Sequence, residues 1–474
     1  MSERSALSFS TSRIRISVVL CLLWSVLTVA PKAEVSTVSR QDPVWQRLRA
    51  YLQTVPVIDT HDHLPPFDQL PGYLETEWGK GMNLASIWRN SYFTWVHPLT
   101  AWPAGGPFEE WWRQAKDDFE NARATGVYRY QLPAFKDLYQ VDFETITDEE
   151  ASALNRRIYE SYRDSRWIRK VITEDANIEL MLNDPWWGYL NLQQHYDFEV
   201  LVLNVNPFLD YFDAESTRAE RPGSNVEAFA QRSGLAISSL ETFVRVVEQA
   251  FQLAQSRGAV AIKTTIAYRR PLNFHRVDEE SAVQAFIDFR QSRNGSAGHI
   301  VQDFLMWKIA GLSAKYRLPF QIHTGLGLLE GSNPLLLMEL IRDHPETQFI
   351  LFHGGFPWIH ESGAVVLSSM MNRHPNVWLD SVWLPILSPH VTRRALLEWL
   401  EIMPSNRIMW GADCNHAEGI YGAVQTFRDI LAEALTIEVR RSVLDEKGAM
   451  RIGRQILREN ALEVFPGLRK RLWK

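Results

Sequence analysis

The sequence predicts an α/β fold, a (β/α)8 barrel of the TIM type with a long helical insertion after its first strand. Three observations carry this expectation. Eight short apolar or β-branched runs alternate with amphipathic stretches. The runs are apolar on both faces, as strands inside a ring of helices are. Several of them end on a titratable residue, and barrel enzymes collect their functional groups at such strand ends.

The strands are expected at Val55–Thr60, Ile178–Asn183, Glu199–Asn204, Val260–Thr265, Pro319–Thr324, Gln348–His353, Val377–Val382 and Arg407–Ala412. Amphipathic periodicity places helices at Leu240–Arg257, Val301–Tyr316, Pro334–His344, Ala364–His374 and Arg393–Glu401. Eight strand–helix units close a barrel, and a doubly wound open sheet is the competing arrangement of the same alternation. Residues 65–177 are too many for one crossover. They contain Pro65-Pro66, Gly105-Gly106 and the tryptophans Trp88, Trp95, Trp102, Trp111 and Trp112, and read as a helical cap over the C-terminal face. A second long connection, about 205–259, includes Arg221–Asn225, a Gly/Ser/Asn stretch expected to be mobile.

The 474 residues are 46% hydrophobic and 22% charged, which excludes a disordered chain. The formal net charge is -6 and no dense basic run occurs, so nucleic acid is not an expected partner. The two cysteines, Cys21 and Cys414, cannot build a disulfide framework or a cysteine-rich zinc site.

The first 33 residues stand apart. Arg4, Arg13 and Arg15 precede an apolar run from Ile16 to Ala30, the order of a secretory signal. The run is short for a membrane span. Pro31 spoils cleavage after Ala33 or Ala30, so residues 1–33 read as a signal peptide or an N-terminal anchor ahead of one barrel domain, 34–474. A periplasmic or secreted location follows from cleavage, and membrane attachment follows from an uncleaved anchor.

The histidines carry the chemistry. The first strand ends in Asp59-Thr60-His61-Asp62-His63. Strand alternation puts Asp59, His61 and His63 on one face and Thr60 and Asp62 on the other, so two imidazoles can converge on one ion. Neutral imidazole suits zinc and related divalent metals. A lone pair of this kind also occurs as ordinary polar residues at a strand mouth. Lys263, His323, His353 and Asp413 end four further strands. Six such groups on one rim are costly to bury without a compensating cation.

In order along the chain, His61-Asp62-His63, Lys263, His323, His353 and Asp413 resemble the amidohydrolase superfamily of metal-dependent barrels. The segments Gln321–Gly325, Phe352–Pro357 and Trp410–Asp413 are similar to its amidohydrolase-related branch, including the domains fused to glutamine-synthetase-type proteins. Tyr92–Trp95 and Tyr128–Asp142 resemble, more loosely, the insertion of uronate isomerases. The resemblance implies a divalent metal, zinc or alternatively manganese, held by His61, His63, His323 and Asp413. It implies catalytic roles for Asp413 as a proton acceptor, for His353 in polarising the substrate or holding a second metal, and for Lys263. Lys263 is either a carbamylated bridge between metals or an ammonium that orients a substrate carboxylate. As an unmodified ammonium it has no lone pair to ligate with, and a buried ion pair is its plain structural reading.

For the substrate, Arg269 and the cap residue Arg89 offer guanidinium forks to a carboxylate, and Trp95 offers a stacking face. Solvated arginines and packing tryptophans are the ordinary alternatives. Cys414 reads as a small buried side chain rather than a nucleophile, and His416, close to Asp413, has no assigned role. The resemblance implies an enzyme that hydrolyses a C–N or C–O bond of a small, acidic compound with metal-activated water. The alternatives are a sugar-acid isomerase, a non-oxidative decarboxylase of an aromatic acid, or a metal-containing binding protein. A homo-oligomer is compatible with all of them.

Overall fold

The computed structural model describes residues 38–70, 72–103, 105, 107–184, 190–215 and 225–472. The leader and residues 221–224 of the expected mobile stretch lie outside the described residues.

All eight expected strands are present and form one parallel sheet in chain order. They are β1 Val57–Asp62, β2 Ile178–Asn183, β3 Glu199–Asn204, β4 Ala261–Thr264, β5 Phe320–Ile322, β6 Phe349–Leu351, β7 Val377–Asp380 and β8 Ile408–Met409. Every one except β2, which is half-buried at Glu179, is buried along its whole length, which explains the unbroken apolar runs. The first strand starts two residues later than the apolar pattern suggests. Val55 still bonds back to Leu52 as the end of the helix Pro43–Thr54, and Pro56 has no N–H for the ladder. At their C-terminal ends β5, β6 and β8 stop short of the titratable residues, which sit on the turns beyond.

The helices follow their caps more closely than their apolar faces. Leu240–Arg257 has the expected ends, because Ser239 and Thr242 form a capping box and Gly258, at φ 78, stops it. The helix expected from Val301 starts at Gly295, where Asn294 accepts from the Ser296 and Ala297 N–H groups. Pro389–Ile402 likewise starts at a proline behind its Ser388 cap. Apolar periodicity marks only where a helix touches the core, so it misses the solvated first turn. The stretch expected as one helix over Pro334–His344 divides into a 3-10 turn, Pro334–Leu337, and a helix, Met338–Asp343.

The ring closes between β8 and β1 outside any regular ladder. Thr60 N–H donates to Trp410 O at 3.3 Å, Asp413 N–H to His61 O at 2.8 Å, and His63 N–H to Cys414 O at 2.8 Å. Gly411 lies in this seam. A Cβ there would stand 2.7 Å from His61 N, 2.7 Å from a Val382 methyl and 2.8 Å from Thr60 Oγ1.

Between β1 and β2 the chain forms a short hairpin, Leu74–Thr76 with Gly79–Gly81, and a run of helices from Leu84 to Arg169. Trp88 is fully buried there among Phe93, Phe119, Tyr128, Phe135 and Phe143. Trp111 and Trp112 are buried too, so most of this segment's tryptophans are packing. One polar clamp ties the segment to the barrel. The buried Glu418 carboxyl, in the first turn of the helix Ala417–Arg440, accepts from Tyr139 Oη at 2.7 Å, Tyr162 Oη at 2.6 Å and Trp167 Nε1 at 3.3 Å. Burial raises its pKa.

The crowding at Gly411 yields a prediction. Gly411→Ala must push β1 and Val382 apart, which costs about 1–3 kcal/mol by analogy with overpacked cores. The expected result is a clearly lower thermal midpoint, read by circular dichroism, with weaker metal uptake in the same variant.

Candidate metal centre

Each side chain of the site arrives from a strand end. His61 and His63 project from the end of β1, with ring centroids 4.6 Å apart. Strict alternation does not survive here. The register between β1 and β2 shifts between Asp59 and Asp62, and the extra residue turns Asp62 so that its carboxyl meets that of Asp59. His353 and Asp413, beyond β6 and β8, have φ of 63° and 61°, and Trp383 beyond β7 has 61°. Left-handed backbone at a non-glycine residue is strained and is retained where it aims a side chain.

His61, His63, Lys263, His323, His353 and Asp413 all line one cavity of about 410 Å³ at the C-terminal mouth of the barrel. Trp95 lines it as well and is 64% exposed. Arg269 and Arg89 are not among the lining residues. Arg269 is paired with Asp213 at 3.0 Å, and Arg89 is exposed at the end of the helix Leu84–Arg89. Arg270, its neighbour in sequence, is buried against Asp303 and Gln302. The cavity therefore has Lys263 as its one standing cation among the described residues, and the carboxylate-binding arginines expected from sequence are structural or solvated.

The geometry around Asp413 is that of a donor set. Its Oδ1 lies 3.2 Å from His63 Nε2 and 3.5 Å from His61 Nε2. Donors about 2.0–2.2 Å from one divalent ion stand at such separations. His61 Nδ1 is buried with no hydrogen-bond partner. Burial alone would raise the Asp413 carboxyl, but the His63 hydrogen bond and the surrounding imidazoles hold it well below the usual range, so it is ionised. Burial and the Lys263 charge keep His61 neutral, as a ligand must be.

The second histidine pair gives an independent test of fit. His323 Nε2 donates to the Leu326 carbonyl, and His353 Nδ1 donates to the Val382 carbonyl at 3.2 Å. Carbonyls only accept, so each ring has committed its one proton. His323 Nδ1 and His353 Nε2 then face each other at 2.7 Å with two lone pairs. A cation held between the rings would relieve such a contact. Burial pulls both pKa values down, that of His353 to about 4, so a proton is a poor candidate and a divalent metal a good one. The residues fit the metal that the resemblance implies.

Lys263 Nζ lies 3.2 Å from His61 Nε2 and 4.3 Å over the Phe352 ring. Burial lowers its pKa against the pull of Asp184, Asp413 and Asp380. Below the ion-holding groups sit buried carboxyls. Burial pushes Asp59 and Asp380 each up to about 7. Asp59 also accepts from the Ala412 N–H and Asp62 from the Cys414 N–H, which fixes the peptide on either side of Asp413. Burial pushes the Cys414 thiol well up, in keeping with an inert side chain. Tyr92 Oη donates to the Asp413 carbonyl at 2.6 Å and brings the β1–β2 segment onto the site.

Sequence reasoning missed Asp184, Tyr130 and Gln131. Asp184 obeys the strand-end rule, since it follows Met181-Leu182-Asn183. Tyr130 and Gln131 lie on the turn between the helices Gly126–Arg129 and Leu132–Tyr139, inside the Tyr128–Asp142 stretch, where no residue pattern marks them individually.

Residues 285–467 match the amidohydrolase family model. That span holds His323, His353 and Asp413 and bears out the resemblance they carry. Protein fluG of Emericella nidulans is 28% identical over 225 residues, which is 44% of this chain and 25% of that one. The chain thus spans a quarter of the length of this relative. Among solved structures, glucuronate isomerase from Caulobacter crescentus matches with a TM-score of 0.71 at 16% identity, over 92% of this chain and 96% of that one. Uronate isomerase from Thermotoga maritima matches with a TM-score of 0.69 at 14% identity, over 92% and 99%. The chain shares the barrel fold of these two structures.

His416 gives the site a measurable pH response. Its Nδ1 donates to Asn415 Oδ1 at 2.9 Å and its Nε2 accepts from Gln131 Nε2 at 3.1 Å, so only the neutral ring is accommodated. Burial pulls its pKa from 6.5 to about 3. The unfolded chain takes up this proton below about pH 6.5 and the folded chain does not. The stability gained from a neutral His416 is therefore complete at neutral pH and is lost progressively as pH falls toward 3. The expected share lost between pH 7 and 5 is about 2 kcal/mol. His416→Gln should lose less stability than wild type over that interval, measured by denaturant unfolding at the two pH values.

Proposed function

We propose that this amidohydrolase-type barrel is a metal-dependent hydrolase that cleaves a C–N or C–O bond of a small carbonyl compound. The observation that carries the reading is the convergence of His61, His63 and Asp413 with the His323–His353 lone-pair contact in one buried cavity. His61, His63 and Asp413 would hold one divalent ion, and His323 with His353 would hold a cation beside it. A bound divalent ion supplies Lewis acidity and a water acidic enough to ionise near neutral pH.

The chain's own residues do the rest. Asp413 is ionised, and its Oδ2 lies 3.9 Å from His353 Nδ1, so one carboxylate oxygen can face the ion while the other accepts a proton. That proton is then available for the leaving group. Lys263, with its ammonium beside His61, stabilises negative charge that develops on the substrate or orients a substrate carboxylate. Tyr92, Trp95 and Tyr268 present aromatic faces to the bound compound and keep bulk water from it. The lining has no arginine among the described residues, so a substrate with one acidic group at most and an apolar body fits better than a polyanion. We further propose zinc as the ion, and export of the mature chain through its basic and apolar leader.

A second reading is a sugar-acid isomerase, in which Asp413 moves a proton between carbons. The match to two uronate isomerase structures over 92% of the chain favours it. The apolar faces of Pro65, Tyr92, Trp95, Tyr130 and Tyr268 weigh against it, while Gln69, Asn90, Ser91, Thr265 and Asn415 also line the cavity and would meet hydroxyls of a sugar.

The test is metal analysis of the purified protein followed by a panel of amides, lactones, esters, uronates and aromatic carboxylates. Hydrolysis of an amide, ester or lactone is the expected result. Asp413→Asn should lower kcat by roughly 10²–10⁴-fold with an unchanged circular dichroism spectrum. Near-normal turnover in that variant, or turnover of uronates alone, removes the hydrolase reading.

A further inference from the structure

One carboxylate at the centre has no part in the chemistry above. Asp184 directly follows β2, the neighbour of β1 on the side away from β8. It is fully buried. Its N–H donates to the Asp62 carbonyl at 2.8 Å, and its carbonyl accepts from His63 Nδ1 at 3.1 Å, so the backbone fixes it against the His61–His63 strand end. Among the described residues its two carboxylate oxygens accept from a single amide, Asn204 Nδ2, at 3.0 and 3.1 Å. One amide is poor compensation for a buried negative charge. The ligand atoms of His61, His63 and Asp184 all lie within 4.8 Å of one another. Asp413 approaches the same two imidazoles from the β8 side.

We propose that Asp184 is a second carboxylate of the ion-holding set, placed on the β2 side of His61 and His63 as Asp413 is on the β8 side. The proposal rests on the metal-dependent reading and adds a residue to it. It gives the first strand's histidine pair an anionic donor on each flank. With Asp184 sharing the ion, Asp413 need not be spent wholly on holding it and keeps an oxygen for proton transfer. The orientation of Asp184 is set by Asn204, whose own Oδ1 accepts from the Asn206 N–H, so the support behind the carboxylate is itself fixed. The competing role is purely local: Asp184 also lies close enough to Lys263 to raise its pKa, and could serve only as the counter-ion of that ammonium.

Metal affinity separates the two roles without any substrate. The full-length protein is stripped with a chelator, and Co²⁺ uptake is followed by equilibrium dialysis and by the visible absorption of the bound ion. Wild type, Asp184→Asn, Lys263→Met and the double variant are compared, and the melting of each metal-free protein is recorded. Asp184→Asn should weaken Co²⁺ binding by roughly tenfold or more and alter the absorption band, and it should do so in both the Lys263 and the Met backgrounds. The metal-free melting points of wild type and Asp184→Asn should agree within a few degrees. Unchanged affinity, or an effect that vanishes once Lys263 is removed, overturns the proposal while leaving the metal-dependent reading intact. Failure of the wild type to take up any ion overturns both. If Asp184→Asn does not fold, Asp184→Glu replaces it. That change keeps the charge beside Lys263 but displaces the donor, so it should weaken the ion and overturns the proposal if it does not.

Discussion

The ring must close, and the way it closes builds the site. Between β8 and β1 there is no continuous ladder, only three backbone hydrogen bonds that lace residues 410–414 to residues 60–63. These two segments carry His61, His63 and Asp413. Closure and assembly of the donor set are therefore one event. Gly411 lets the backbones approach, Asp59 and Asp62 accept the N–H groups flanking Asp413, and Thr60 Oγ1 donates to the Trp410 carbonyl at 2.9 Å. A barrel that failed to close would leave these carboxyls buried with unsatisfied partners, a cost of several kcal/mol each.

The second organising fact is charge. Around a cavity large enough for a small molecule stand five imidazoles, a lysine and Asp413, with further carboxyls beneath them, nearly all buried. Burial neutralises most of them: His61, His323 and His353 are pulled down, and Asp59, Asp62 and Asp380 are pushed up. Asp413, held ionised by its neighbours, and His63, where burial is outweighed by the hydrogen bond and charge of that carboxylate and the pKa rises, are the exceptions. Three imidazoles held neutral beside an ionised carboxylate are the protonation states that metal ligands need. The facing lone pairs of His323 and His353 carry the same message through hydrogen bonding.

Much of this was legible in the sequence, for physical reasons. Strands buried on both faces have no polar alternation, so they stand out as apolar runs, and a charged residue closing such a run marks a rim. That logic found all eight strands and the six groups that meet in the cavity. It also admits Asp184, which closes β2 in the same way but was overlooked beside the better-known histidine pattern. Other features left no trace. The β1 bulge that turns Asp62 onto Asp59 depends on the register with β2, which no local pattern encodes. Arg269 and Arg89 looked like substrate ligands because an arginine near a strand end has the right chemistry; whether Asp213 or solvent already claims it is a tertiary matter. Helix starts were misplaced where Asn294 and Ser388, rather than apolar spacing, define the first turn.

The Glu418 clamp divides labour within the molecule. The barrel supplies His61, His63, Lys263, His323, His353 and Asp413 from its strand ends, whereas the β1–β2 segment supplies Tyr92 and Trp95 to the mouth and is moored in part by one acid through two phenols and an indole. Apart from Tyr92, whose hydroxyl holds the Asp413 carbonyl, the mouth residues around Asn90–Trp95 can therefore be re-tailored for a new guest while the mooring keeps the segment seated. A laboratory library confined to those positions would inherit the same modularity.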